Sequence, residues 1–89
     1  MTAIRLEIQN IKGLHARASA RLVEVVEQYD ATATVSKDGL STEGDSIMGL
    51  LMLAATMGSF IEVTTQGPEA DALATALTEL VNDKFGEGD

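Results

Sequence analysis

Over Thr2 to Ile8 apolar and polar positions alternate, with Ile4, Leu6 and Ile8 on one side and Arg5 and Glu7 on the other. A period of two predicts a first strand with one buried and one wet face. After the loop Gln9 to Leu14 the period lengthens. Ala18, Leu22, Val25, Val26 and Tyr29 form one stripe and Arg21, Glu24, Glu27 and Gln28 the opposite side, so a helix is expected from Ala16 to about Tyr29. Ala31 to Val35 is short and rich in strand formers, Asp38-Gly39 reads as a tight hairpin turn, and Leu40 to Glu43 returns as a second strand of that hairpin. Asp45 and Ser46 offer capping oxygens to a short helix from Ile47 to about Ala54, apolar nearly all round and so expected to be covered on more than one side. Gly58-Ser59 breaks the pattern, and Ile61, Val63 and Thr65 alternate along a strand from Phe60 to Thr65. Gly67-Pro68 ends that strand. Pro68 suits a first helical turn, and Ala70, Leu73, Ala74, Leu77, Leu80 and Val81 carry a stripe to about Phe85, beyond which residues 86–89 should fray.

The resulting order is β-α-β-β-α-β-α. Four strands with one face buried by helices make an α/β (α+β) open-faced sandwich, although pattern alone also permits other split β-α-β arrangements. With 89 residues the chain has room for one two-layer core, so residues 1–89 are expected to form a single domain.

Composition narrows the functions. There is no cysteine, which excludes a disulfide framework and thiolate chemistry and suits a reducing cytoplasm. One histidine without thiolates is a poor metal-ligand set, so no metal is expected, and no glycine-rich phosphate loop points to a nucleotide or other cofactor. No apolar run is long enough to cross a bilayer, and a place on a membrane is not expected. Fourteen acids against six bases give a net charge of −8, which argues against nucleic acid and leaves protein partners, with solubility as the plainer meaning of the same charge.

The candidate chemistry lies in Gly13-Leu14-His15-Ala16-Arg17, between the first strand and the first helix, and His15 is the only histidine in the chain. Gly13 frees the backbone and Ala16 opens the helical stripe, which puts His15 at or next to an N-cap. The first amides of a helix lack intrahelical acceptors and carry the positive end of its dipole. A phosphoryl group on the imidazole could therefore take the free N–H groups of Ala16, Arg17 and Ala18, with the Arg17 guanidinium adding charge. A histidine in that place can equally be an ordinary capping or surface residue, just as Ser46 before an apolar helix can be an ordinary N-cap.

The string Gly13-Leu14-His15-Ala16-Arg17 resembles the active-site motif of HPr, the histidine phosphocarrier family of the bacterial phosphoenolpyruvate-dependent phosphotransferase system. Asp45-Ser46-Ile47-Met48-Gly49-Leu50 is similar to that family's regulatory-serine segment. The resemblance implies a mainly antiparallel four-stranded sheet with three helices on one face. It also implies a phosphoryl group taken onto His15 from phosphorylated enzyme I and handed to an EIIA-type acceptor, with Arg17 stabilising the transferring charge. Ser46 would be a site for an HPr kinase/phosphorylase. Ile47, Met48 and Leu51, with Met48 and Leu51 foremost in pointing away from the sheet, would form the docking patch of a cytoplasmic protein acting as a monomer. Ala18 stands where the family motif usually has proline. Together with Ser46 to Ala55, the run Ala16 to Ala20 looks more like the nitrogen-related branch of the system than its sugar-transport branch. Two other functions compete with the carrier. One is a regulatory adaptor binding proteins through the Ser46 helix with His15 vestigial; the other is a free-standing hydrolase, disfavoured because no second general base pairs with His15 in the sequence.

Overall fold

The computed structural model describes residues 1–87. Its centre is β4 (Phe60–Gln66), where Ile61, Val63 and Thr65 are buried and the residues between them face outward. Antiparallel partners flank it on both sides: β1 (Thr2–Glu7), with Ile4 opposite Val63 and Leu6 opposite Ile61, and β2 (Thr32–Lys37), with Val35 opposite Val63. β3 (Leu40–Glu43) completes the sheet in the order β1-β4-β2-β3, so that the strands are antiparallel throughout. The β2–β3 turn is Asp38-Gly39 with φ of 51° and 85°, the pair of left-handed residues that a two-residue hairpin of this twist requires.

One face of the sheet is covered by α1 (Ala16–Glu27), α2 (Ile47–Met52) and α3 (Ala70–Asn82), in the β-α-β-β-α-β-α order expected. Leu22 and Val26 of α1 and Leu73, Leu77 and Val81 of α3 join Ile8, Val35, Ile61 and Val63 in one core. The other face is wet, and there the Arg5 guanidinium lies 4.2 Å from the centroid of the Phe60 ring. Most ends fall within two residues of the expected ones: β1 stops at Glu7 rather than Ile8, α1 at Glu27 rather than Tyr29, and α3 begins at Ala70 rather than in the turn at Pro68. The stripe of α1 also takes in Ser19 and Val23, while Val25 and Tyr29 are only partly buried.

Two expectations change. α2 ends at Met52, because Ala54 turns left-handed (φ 52°), and it is covered on one side only: Leu50 is buried, whereas Met48 and Met52 are 70% and 75% exposed. Apolar composition alone does not bury a helix that lies at the rim of the sheet, where α1 and β3 are its neighbours. The last helix does not run to Phe85. It stops at Asn82 and gives way to a single tight turn, Lys84–Gly86, in which Lys84 and Phe85 are both left-handed (φ 54° and 56°) and the Phe85 ring is fully buried. That ring anchors the segment expected to fray, so Gly86 and Glu87 are packed against the body of the protein. Residues 88 and 89 lie outside the described part.

Candidate functional site

The site is built by the end of β1 and the loop after it. Asn10 is buried, and its amide Nδ2 donates to the Gly13 carbonyl at 2.7 Å, closing the loop on itself. Gly13 has φ +65° and runs so close to Ala55 that a Cβ would stand 2.4 Å from the Ala55 oxygen. The next residue, Leu14, donates its N–H to that same oxygen at 2.9 Å and buries its side chain. From inside α1, Ser19 Oγ donates back to the Leu14 carbonyl at 3.2 Å. Leu14 is thus pinned from both sides, and the residue after it is placed with little freedom.

That residue is His15, the N-cap of α1, in an extended conformation (φ −78°, ψ −175°). Its imidazole makes no capping bond to the helix. Ser19 N–H makes the first helical bond, to the His15 carbonyl at 2.8 Å, and the amides of Ala16, Arg17 and Ala18 donate to no acceptor among the described residues. The positive end of α1 therefore stands open beside the ring at Ala16 and Arg17, which are exposed, whereas Ala18, expected to share in holding a phosphate, is fully buried under the first turn. His15 and Arg17 line one shallow cavity of about 330 Å³, together with Lys12, Arg21 and Glu87. Three of the chain's six bases surround the single histidine of a molecule whose net charge is −8.

Sequence reading missed four participants here. Lys12 and Arg21 belong to no motif, Arg21 having been assigned only to the wet side of the helix. Asn10 gave no signal beyond being polar near the end of an apolar strand. Glu87 lay in a segment expected to fray, yet Nε2 of His15 is in hydrogen-bond contact with its Oε2, and Asn10 Nδ2 donates to its Oε1 at 3.0 Å. The His15 side chain is 28% exposed and that of Glu87 only 11%. The expectation that no second general base pairs with His15 is therefore corrected: a carboxylate 72 positions away in sequence reaches the ring, brought there by the buried Phe85 turn.

Ser46 is the N-cap of α2, and its Oγ accepts from Gly49 N–H at 3.0 Å. Gly49 lies against β3 with no room for a side chain, since a Cβ would overlap the Thr42 hydroxyl. Of the expected docking residues, Ile47 and Met48 are exposed and Leu51 is partly buried. Met52 is more open than any of the three. Ile11, Leu40, Met57 and Phe60 are further exposed apolar side chains.

A four-stranded antiparallel sheet with helices on one face, and a lone histidine capping the first of them among cations, describes a small histidine-bearing α/β sandwich. Residues 3–83 match the family model described as the PTS HPr component phosphorylation site. The phosphocarrier protein HPr of Neisseria meningitidis is 44% identical over 84 residues, covering 94% of each chain. The phosphocarrier protein NPr of Shewanella violacea is 37% identical, over 93% of this chain and 91% of that one. The crystal structure of an HPr from Thermoanaerobacter tengcongensis superposes with a TM-score of 0.93 at 32% identity, covering 98% of both. The chain belongs to the HPr family, the phosphocarriers of the phosphotransferase system.

Proposed function

We propose that His15 accepts a phosphoryl group from phosphorylated enzyme I and passes it to an EIIA-type protein. The observation that carries this reading is the open start of α1, where the unpaired amides of exposed Ala16 and Arg17 stand beside an imidazole that makes no cap bond. Phosphoryl transfer asks a protein chiefly for in-line placement of the nucleophile and for neutralisation of charge on the moving oxygens. The amides of the exposed residues Ala16 and Arg17 supply fixed donors, and the Arg17 side chain supplies a mobile cation that can follow the phosphoryl group between partners. Ile47, Met48, Leu51 and Met52 form an apolar surface suited to docking, because flexible methionines repack against more than one partner. Phosphorylation of Ser46 would place about two negative charges at the edge of that surface.

The test is incubation with phosphoenolpyruvate and purified enzyme I, followed by mapping of the modified residue by mass spectrometry under mildly alkaline conditions. One acid-labile phosphate on His15 is expected, and His15→Ala should carry none. Arg17→Ala should slow uptake at least about tenfold through loss of one charge-stabilising group. Partner binding that persists in His15→Ala, with no phosphate in the parent protein, would favour the adaptor reading.

For the branch of the system, we infer the nitrogen-related one. Support comes from Ala18-Ser19-Ala20 after the arginine, from the run Ser46 to Ala55, and from the similarity to an NPr. The similarity to proteins named HPr is the counterweight. Uptake rates measured side by side with enzyme I of each branch decide between them, a faster rate with the sugar-branch enzyme overturning this assignment.

A further inference from the structure

Glu87 has no part in the transfer as described so far, yet its carboxylate is nearly buried and has two hydrogen-bonding neighbours in the site. Oε1 receives Asn10 Nδ2 at 3.0 Å and Oε2 meets His15 Nε2. Asn10 is fixed in turn. Its Nδ2 donates to the Gly13 carbonyl as well, so turning the amide over would set its oxygen against two acceptors. The row Gly13 O, Asn10 Nδ2, Glu87 and His15 Nε2 therefore has one consistent direction of donation.

An ionised carboxylate only accepts hydrogen bonds. For a neutral imidazole, contact of Nε2 with such a group places the ring proton on Nε2 and the lone pair on Nδ1. Nδ1 is bonded to Cγ and so lies nearer the residue's own main chain, which here is the open start of α1. Among the described residues Nδ1 makes no hydrogen bond, so nothing competes for its lone pair.

We infer that Glu87 is a positioning residue of the phosphoryl transfer, acting through His15 by holding the proton on Nε2 so that Nδ1 is the nitrogen that attacks. This rests on the carrier reading above. The step balances without an added acid or base. The Nδ1 lone pair forms the bond to phosphorus, the bond from phosphorus to the donor's own group breaks, and that electron pair leaves with the donor. The ring then carries a positive charge, its Nε2–H still directed at the Glu87 carboxylate. On transfer to the acceptor the N–P electrons return to Nδ1 and the leaving group is a neutral imidazole. Lys12, Arg17 and Arg21 share the cavity with the pair, so the carboxylate and the ring lie together in a basic setting. The carboxylate has the orienting role that carboxylates play beside catalytic imidazoles in hydrolases.

The experiment is long-range ¹H–¹⁵N correlation of the His15 ring in the unphosphorylated protein, at a pH where the ring is neutral, for the parent, Glu87→Gln and Glu87→Ala. In the parent the proton is expected on Nε2. In Glu87→Gln the single amide oxygen pairs with Asn10 and the amide N–H₂ faces the ring, which forces Nε2 to accept and moves the proton to Nδ1. In Glu87→Ala the preference is lost and both tautomers are populated. Phosphoryl uptake should fall about 10–100-fold in Glu87→Gln, the scale seen when the hydrogen-bond partner that orients a metal-ligating histidine is lost. A parent ring protonated on Nδ1, or the same tautomer and uptake rate in all three proteins, would overturn the inference. The tautomer measurement needs no partner protein, so its result stands apart from whether enzyme I phosphorylates the chain.

Discussion

Gly13 shows most directly how one residue shapes the site. A side chain there must adopt a left-handed backbone, which costs about 1–3 kcal/mol, and must also displace the Ala55 carbonyl that accepts from Leu14. Gly13→Ala is accordingly expected to lower the free energy of unfolding by more than about 2 kcal/mol, and the midpoint in urea measures this. The same substitution should slow phosphoryl uptake, because Leu14 and hence His15 shift with the displaced loop. At this scale the sequence named His15 and Arg17 but gave no indication of Asn10 or Glu87. Short motifs report residues close together in the chain. Asn10 and Glu87 act across 77 positions, and nothing local in either stretch marks the contact.

At the scale of elements, α2 shows how much of a short helix can depend on one capping residue. Ser46 Oγ caps a helix of six residues whose only buried side chain is Leu50, so the cap is a large share of what holds that helix. Ser46→Ala should cost about 1 kcal/mol, read from thermal unfolding. Ser46→Asp keeps a capping oxygen and adds a charge that the helix dipole favours, so its melting temperature should remain near that of the parent. The added charge lies beside exposed Ile47 and Met48, close to Glu43 and Asp45, and uptake from enzyme I should slow; unchanged kinetics in Ser46→Asp would remove Ser46 from regulation. The serine's place before the helix was legible in the sequence, because capping is a local rule. The extent of burial was not, because it depends on where α2 lies relative to α1 and β3.

Across the whole molecule the decisive feature is the uneven distribution of charge. The surface is acidic overall, while Lys12, Arg17 and Arg21 gather at one cavity around His15. A partner offering a phosphorylated and acidic face is drawn to that spot and repelled elsewhere. Phosphoryl uptake at limiting enzyme I should therefore fall as ionic strength rises from about 0.01 M to 0.15 M, where the screening length drops from roughly 30 Å to 8 Å. Lys12→Ala and Arg21→Ala should each flatten that dependence, and stopped-flow or quenched uptake at several salt concentrations reads it directly.

The order of strands and helices, the hairpin turn at Asp38-Gly39, the caps at His15 and Ser46 and the buried faces of β1 and β4 follow from the chain alone, because periodicity, turn chemistry and capping act between neighbours in sequence. The exposure of α2, the left-handed turn at Phe85 and the meeting of Glu87 with His15 required the tertiary structure. Each depends on which surfaces the sheet leaves open and on where a buried aromatic ring draws the end of the chain, and those are settled only when the whole core packs.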